Sequence, residues 1–543
     1  MRIFFLIIIF NIAGILYQSN VHAKSSEDLN FNHRYLSNYF SALLSYDNRK
    51  NDEALKFFNS SKSLLNKHNE FLREYLFSLV ENGEVAKGIK EIKYTKSKNS
   101  SNFFEAKLMI LVDNMKKKKF SIAMQSLADL EKNQEGGGYE YIIYETLKSY
   151  NHLFLNNAID DQTENFGKLS LITSSFQNCY LGSKNTDIYF SKLINSSDGD
   201  YSRYLFFNLA NIIEKNDYVK AKDIASKIDP LNGGLLVSQA KEWIDKSKFK
   251  HLEKYFSCKS ENDLLAEFFY LISNLYSSQN EFEKSNFYLN ISYFLNPKFY
   301  FNLTLLAENY FINENYDLAK KIYDRFDEKN KVYHWYKTIK IGQIIAKTQN
   351  KENSLEFLEN KFNQIKDPNI KILFDIANIY KGFKKFEKSI DYYSVVLSRL
   401  DVNSEAYAST LYSRGGSYER IKDYKNSDID LLKSLEIKPE DPYVMNYLGY
   451  SWLERNYNIE EAIDMLNRAY QQRKNDPYII DSVAWGYYLI GDYEKAENYI
   501  KQAVQLMPDD PIVNDHYGDI LWKLNRKIQA RYFWTNVLKM DDA

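Results

Sequence analysis

Apolar and polar positions in the second half of this chain repeat with a period near 34 residues. Small residues mark the beat: Ser273, Ala307, Gly342, Ala377, Gly415, Gly449, Ala484 and Gly518 follow one another at intervals of 34 to 38. A second small residue follows each by 12 or 13 positions, from Ser285, Ala319, Ser354 and Ser389 to Ser427, Ala462, Ala496 and Ala530. Three positions after each first small residue stands a large one: Tyr276, Tyr310, Ile345, Tyr380, Tyr418, Trp452, Tyr487 and Leu521. One helical turn separates the two, so both lie on a single stripe. The doubled period predicts antiparallel helix pairs, because two helices approach to about 8 Å only where neither carries bulk at the crossing.

Local punctuation agrees with the period. Asp441-Pro442, Asp476-Pro477 and Asp510-Pro511 read as helix starts, with a carboxylate to cap free amides and a proline where no donor is needed. Pro297, Pro439 and Pro508 fall where each second helix should end.

On these residues the chain resembles the tetratricopeptide repeat family, whose units are about 34 residues long with small residues at two fixed places. The best units are residues 477–510, with Ala484, Tyr487, Ala496, Ala503 and Pro508 in place, and residues 442–476, which carry one inserted residue. The resemblance is clear from about residue 264 onward. Upstream, Ala42 with Ala54 and Ala210 with Ala221 mark degenerate units, while residues 70–92 and 103–130 read as helix pairs without the full signature. The expected fold is all-α, a right-handed α-solenoid of antiparallel helix pairs. Its expected organisation is a signal peptide at 1–23, a degenerate arm at 24–200, an irregular stretch at 201–263 and a regular array at 264–543, with the break before the array's approach near residues 194–200.

The N-terminus follows another pattern. Arg2 precedes an apolar stretch at residues 3–17, and Val21-His22-Ala23 supplies a small-residue cleavage site. This stretch of fifteen residues, broken only by Asn11 and Gly14, falls short of the roughly 20 needed to span a bilayer, so cleavage and export to the periplasm or envelope are expected. No Cys follows the apolar stretch, so membrane association would require a partner or an uncleaved N-terminus.

Composition narrows the function classes. With 19 glycines and 8 prolines in 543 residues, the chain lacks the turn chemistry of a large β domain. Its 71 Lys plus Arg against 72 Asp plus Glu offer no bulk electrostatic reason to bind nucleic acid. The one basic run, Lys116 to Lys119, reads as a solvated surface. Cys179 and Cys258 are read as two separate buried thiols, since positions two or so repeats apart usually exceed disulfide reach.

No catalytic, cofactor or metal site is expected. The seven histidines show no metal-ligand spacing, and Gly136-Gly137-Gly138 lacks the lysine or hydroxyl residue of a phosphate loop. Asp515, His516 and Asp519 cluster, but on a helix His516 turns about 100° away from the two carboxylates.

The family resemblance implies that the second, fifth, ninth and twelfth positions of each first helix face a binding groove. These hold Ser409, Tyr412, Gly416 and Glu419, then Tyr443, Asn446, Tyr450 and Leu453, then Tyr478, Asp481, Trp485 and Tyr488, then Ile512, Asp515, Asp519 and Trp522. The expected partner is a peptide or protein with apolar anchors and some basic character, docking chiefly on Tyr443, Asn446, Tyr450, Tyr478, Asp481, Trp485, Tyr488, Asp515, Asp519 and Trp522. The stretches 446–450, 476–488 and 514–522 further resemble a group of exported bacterial repeat proteins, some of which are lipoproteins that bring substrates to a C-terminal processing protease. This chain lacks their lipidated Cys. The alternative expectation is a polysaccharide export or assembly factor whose aromatic groove handles glycan.

Overall fold

The computed structural model describes residues 33–68, 70–95, 100–131, 138–160, 164–326 and 330–540, so the candidate signal peptide and Gly136-Gly137 lie outside the described residues. Among these residues the chain forms 29 α-helices and one 3₁₀ turn, Lys62–Leu64, with no strand. It is an α-solenoid of helix pairs.

The small residues do what their spacing demands. All sixteen are buried. A methyl added at Gly342 would lie 2.8 Å from Leu358, one at Gly449 would lie 2.9 Å from the Ala462 carbonyl oxygen, and one at Gly518 would run into the Trp534 ring. Three of the second-place serines also bond across: Ser354 donates to the Gly342 carbonyl at 2.7 Å, Ser389 to Ser417 at 2.9 Å, and Ser285 accepts from Asn309 at 2.8 Å. The Asp-Pro starts also hold. Asp441, Asp476 and Asp510 each accept from two backbone amides at 2.9 to 3.3 Å, opening the helices Pro442–Glu454, Pro477–Leu489 and Pro511–Lys523. Between paired helices the chain reverses through one residue at positive φ, as at Asn280, Glu314, Lys384, Lys422, Gly491 and Asn525.

The core is organised differently in the two halves. A single apolar core runs from Tyr39 to Phe299, whereas beyond it the core divides into successive clusters, each joining one repeat to the next. The continuous core exists because the first helices fold back onto Glu261–Ser278 and the hairpins after it. Phe77 meets Phe287 with ring centroids 4.9 Å apart, and Tyr139 meets Tyr276 at 4.9 Å. Tyr46 donates to Glu283 at 2.9 Å and Tyr310 to Glu81 at 3.2 Å. The basic run serves this seam rather than forming a plain solvated patch. Lys116 lies 3.4 Å from the Phe294 ring centroid and bonds its carbonyl, Lys117 pairs with Asp113, and Lys118 reaches Glu261 at 2.9 Å.

The cysteines overturn the expectation of two separate thiols. Cys179 and Cys258 form a disulfide with their Cα atoms 5.6 Å apart, although 79 residues separate them. The intervening helix pairs loop outward, and the segment after Phe249–Tyr255 returns to the helix Lys168–Leu181. Phe256 packs on Phe176 and Phe207, at 5.8 and 4.6 Å, and Tyr180 donates to Glu261 at 3.3 Å. Repeats distant in sequence thereby become neighbours. Deeper in this core Arg203 forks onto Glu267, and the rings of Tyr270 and Phe301 flank its guanidinium at 4.5 and 5.1 Å.

Candidate partner-binding groove

The first helices Pro442–Glu454, Pro477–Leu489 and Pro511–Lys523 lie side by side, each touching the next. Their Asp-Pro starts hold them in one register, so equivalent positions line up across the three repeats. At the second position Tyr443, Tyr478 and Ile512 stand 46%, 60% and 61% exposed. Three large apolar side chains are thus held in water at matching places.

Behind this row is a stack of rings and carboxylates. Trp485 lies almost parallel to Tyr488, with centroids 4.6 Å apart, and to His516 at 4.0 Å. Its indole N–H donates to Glu454 at 2.5 Å. His516 is buried and reaches back one repeat to Asp481, its Nδ1 lying 2.9 and 3.1 Å from the two carboxylate oxygens. Tyr450 is half-buried, and burial, followed by the charges of Glu454 and Asp481, drives its phenol pKa up. Asp519 is also raised, by burial and then by Asp515, with His516 pulling the other way.

The expected groove residues therefore separate into three kinds. Tyr450, Asp481, Trp485, Tyr488 and Asp519 gather around His516 and form the wall. Tyr443 and Tyr478 project from its edge, Asp515 is exposed, and Trp522 is 40% exposed with Trp534 5.4 Å away. Asn446 is half-buried, and its side-chain oxygen has no partner among the described residues. Asp481 is occupied by His516. Leu453 is buried against Gly486 instead of facing a groove.

Within its own helix His516 turns away from Asp515 and Asp519. The contact that gives it a role runs between helices, and the signal for it is the offset of 35 residues from Asp481, one repeat period. Upstream, Tyr447 packs on Tyr412 at 5.8 Å and donates to Glu419 at 3.0 Å.

The pair predicts a pH dependence. Burial opposes protonation of His516, but the hydrogen bond and charge of Asp481, aided by Asp515 and Asp519, outweigh it, and the imidazole pKa is raised. A folded-state pKa above the unfolded one means that the pair's contribution is complete below about pH 6.5 and is lost as the pH climbs through the raised value. In urea melts His516→Gln should cost about 1 to 3 kcal/mol near pH 5.5 and clearly less near pH 9. An equal cost at both would show that the pair does not titrate in this way.

Comparison with known proteins bears on the same helices. The tetratricopeptide repeat family model matches residues 408–441 and 484–510. A TPR repeat-containing protein of Pseudomonas aeruginosa is 32% identical over 109 residues, which cover 20% of this chain and 18% of that protein. The match thus spans under a fifth of the relative's length. Among solved structures, MamA 41-end from Desulfovibrio magneticus RS-1 is 18% identical with a TM-score of 0.28, covering 32% of this chain and 95% of that one. MamA AMB-1 is 14% identical with a TM-score of 0.27, covering 31% and 98%. With caps, small residues and stacking all in place, the helix pairs at 408–441 and 484–510 are tetratricopeptide repeats.

Proposed function

We propose that this chain is a non-catalytic scaffold or adaptor of the bacterial cell envelope that binds a partner protein or peptide along Pro442–Glu454, Pro477–Leu489 and Pro511–Lys523. The observation that carries this reading is the exposed row of Tyr443, Tyr478 and Ile512 beside a rigid acidic and aromatic wall. Covering one such side chain is worth about 1.5 to 3 kcal/mol, so three in a row favour an occupant with matching apolar anchors. The carboxylates of Asp515 and Asp519 favour one with basic residues between them.

The Cys179–Cys258 disulfide supports an oxidising compartment, and the apolar stretch at 3–17 supports export. Delivery of substrates to an envelope protease is the finer form of this reading. Glycan handling would need free ring faces, which leaves only Tyr443 and Tyr478 at the edge, because the Trp485 ring is already stacked on Tyr488 and His516.

The test is a photo-crosslinking residue at Tyr478 in the producing cell, with capture repeated in Asp515→Lys and in Tyr443→Ala. A trapped protein whose yield drops severalfold in both variants supports the proposal. Unchanged capture in both, or a trapped polysaccharide, sinks it.

A further inference from the structure

The last helix, Lys527–Val537, breaks a rule that the preceding repeats keep. Its register is fixed by Ala530, which is fully buried, and by Trp534 beneath Gly518. Two positions before the equivalent small residue, the five preceding repeats carry Glu352, Glu387, Lys425, Glu460 and Glu494, all charged and exposed. The last repeat carries Ile528 there, 87% exposed. Because this position faces water in every internal repeat, a missing neighbour at the end of the stack does not explain the isoleucine.

Helical geometry at 100° per residue places Tyr532 and Thr535 within about 60° of each other around Ile528, opposite Ala530. Tyr532 is 63% exposed, and Leu538, just past the helix, is 82% exposed. Arg531 and Lys527 lie along one side of this pole, about 60° and 100° from Ile528, and Lys539 follows it, all exposed. The helix contains no carboxylate, and among the described residues these three cations make no ion pair. An apolar and aromatic pole is thus displayed with Lys527 and Arg531 along one side and Gln529 and Asn536 along the other, and Asp541 and Asp542 follow Lys539 in the sequence.

We infer that this face of Lys527–Val537 docks on an anionic membrane surface. The two cations on the helix favour an anionic occupant over a second copy, whose identical edge would repel it. Size and shape then favour lipid over protein. One three-turn helix is about 16 Å long and offers no groove, far from the roughly 800 Å² per partner of a stable protein interface. A bilayer needs no complementary pocket. Isolated apolar side chains enter its interface one by one, and each Lys or Arg adds about 1 kcal/mol near anionic headgroups. The inference does not rest on the groove, which lies on the first helices, although Lys527 also reaches over the Trp522 ring at 5.3 Å.

The test is co-sedimentation of the chain from Lys24, the form that cleavage would leave with every described helix intact, with phosphatidylcholine vesicles with and without about 30% phosphatidylglycerol. The expected result is binding to the anionic vesicles only, weakened at least tenfold by Lys527→Glu with Arg531→Glu and likewise by Ile528→Asn with Tyr532→Ser, and reversed by about 0.5 M salt. Helical circular dichroism of the variants should match the parent, because every altered side chain is exposed, and Tyr443→Ala should bind vesicles normally. No binding by the parent, or parent-like binding by both pairs of variants, overturns the inference. Concentration-dependent dimerisation abolished by Ile528→Asn, or capture of an acidic peptide by a parent that ignores vesicles, overturns it in favour of a protein occupant.

Discussion

Replacing Glu267 by alanine is expected to destabilise the N-terminal half by about 3 to 5 kcal/mol, because it leaves a buried guanidinium without its counter-ion. Arg203 and Glu267 come from segments 64 residues apart, and the carboxylate is fully buried. Around the guanidinium lie the rings of Tyr204, Phe207, Tyr270 and Phe301, at 4.5 to 5.4 Å. Rings stabilise a cation by about 1 kcal/mol each, which does not replace a lost carboxylate. Burial pushes the Glu267 carboxyl up while Arg203 holds it down, so the pair survives only as a unit. The double variant Arg203→Met, Glu267→Leu should therefore recover much of the loss. Urea melts followed by helical circular dichroism measure both; a single variant no worse than the double would refute the account.

The second large effect concerns the disulfide. Closing a loop of 79 residues removes unfolded-state entropy worth about 4.5 kcal/mol on the chain-entropy relation, and measured values run from about 2 to 5. Both sulfurs are buried, so reduction also frees two segments that pack through Phe176, Phe207 and Phe256. The Cys179→Ala, Cys258→Ala variant should melt well below the oxidised parent and be unmoved by reductant, whereas the parent should fall towards the variant only when reductant is present. Equal melting of the oxidised parent and the variant would remove the disulfide from the stability account.

The array was legible because a repeat writes its contacts at fixed offsets. Gly449 against Ala462 and Asp476 over Tyr478 are local pairings, and each recurs one period later. Contacts between distant units leave no such trace. Nothing in the spacing of Cys179 and Cys258, or of Phe77 and Phe287, marks them as neighbours, since the meeting depends on the accumulated curvature of every helix pair between them. The turns were missed for another reason. Among the residues at positive φ between paired helices in the array only Gly491 is glycine; Asn280, Asn456, Asn458 and Asn525 carry the weaker asparagine signal, and Glu314, Lys384 and Lys422 carry none. In the groove the aromatic and acidic character was readable, but not that His516 would claim Asp481, because a helical wheel shows one helix at a time.

The fold-back of the first helices onto residues 261–323 gives the front of the molecule a fixed circumference. A helix pair inserted or deleted between residues 140 and 250 would carry Phe287 away from Phe77 and Glu283 from Tyr46, so that half tolerates no change in unit number. The helix Lys331–Thr348 still packs on Leu235–Asp245, but from Glu405 onward each helix packs on its neighbours in sequence, and duplication there would lengthen the tail while leaving the ring intact.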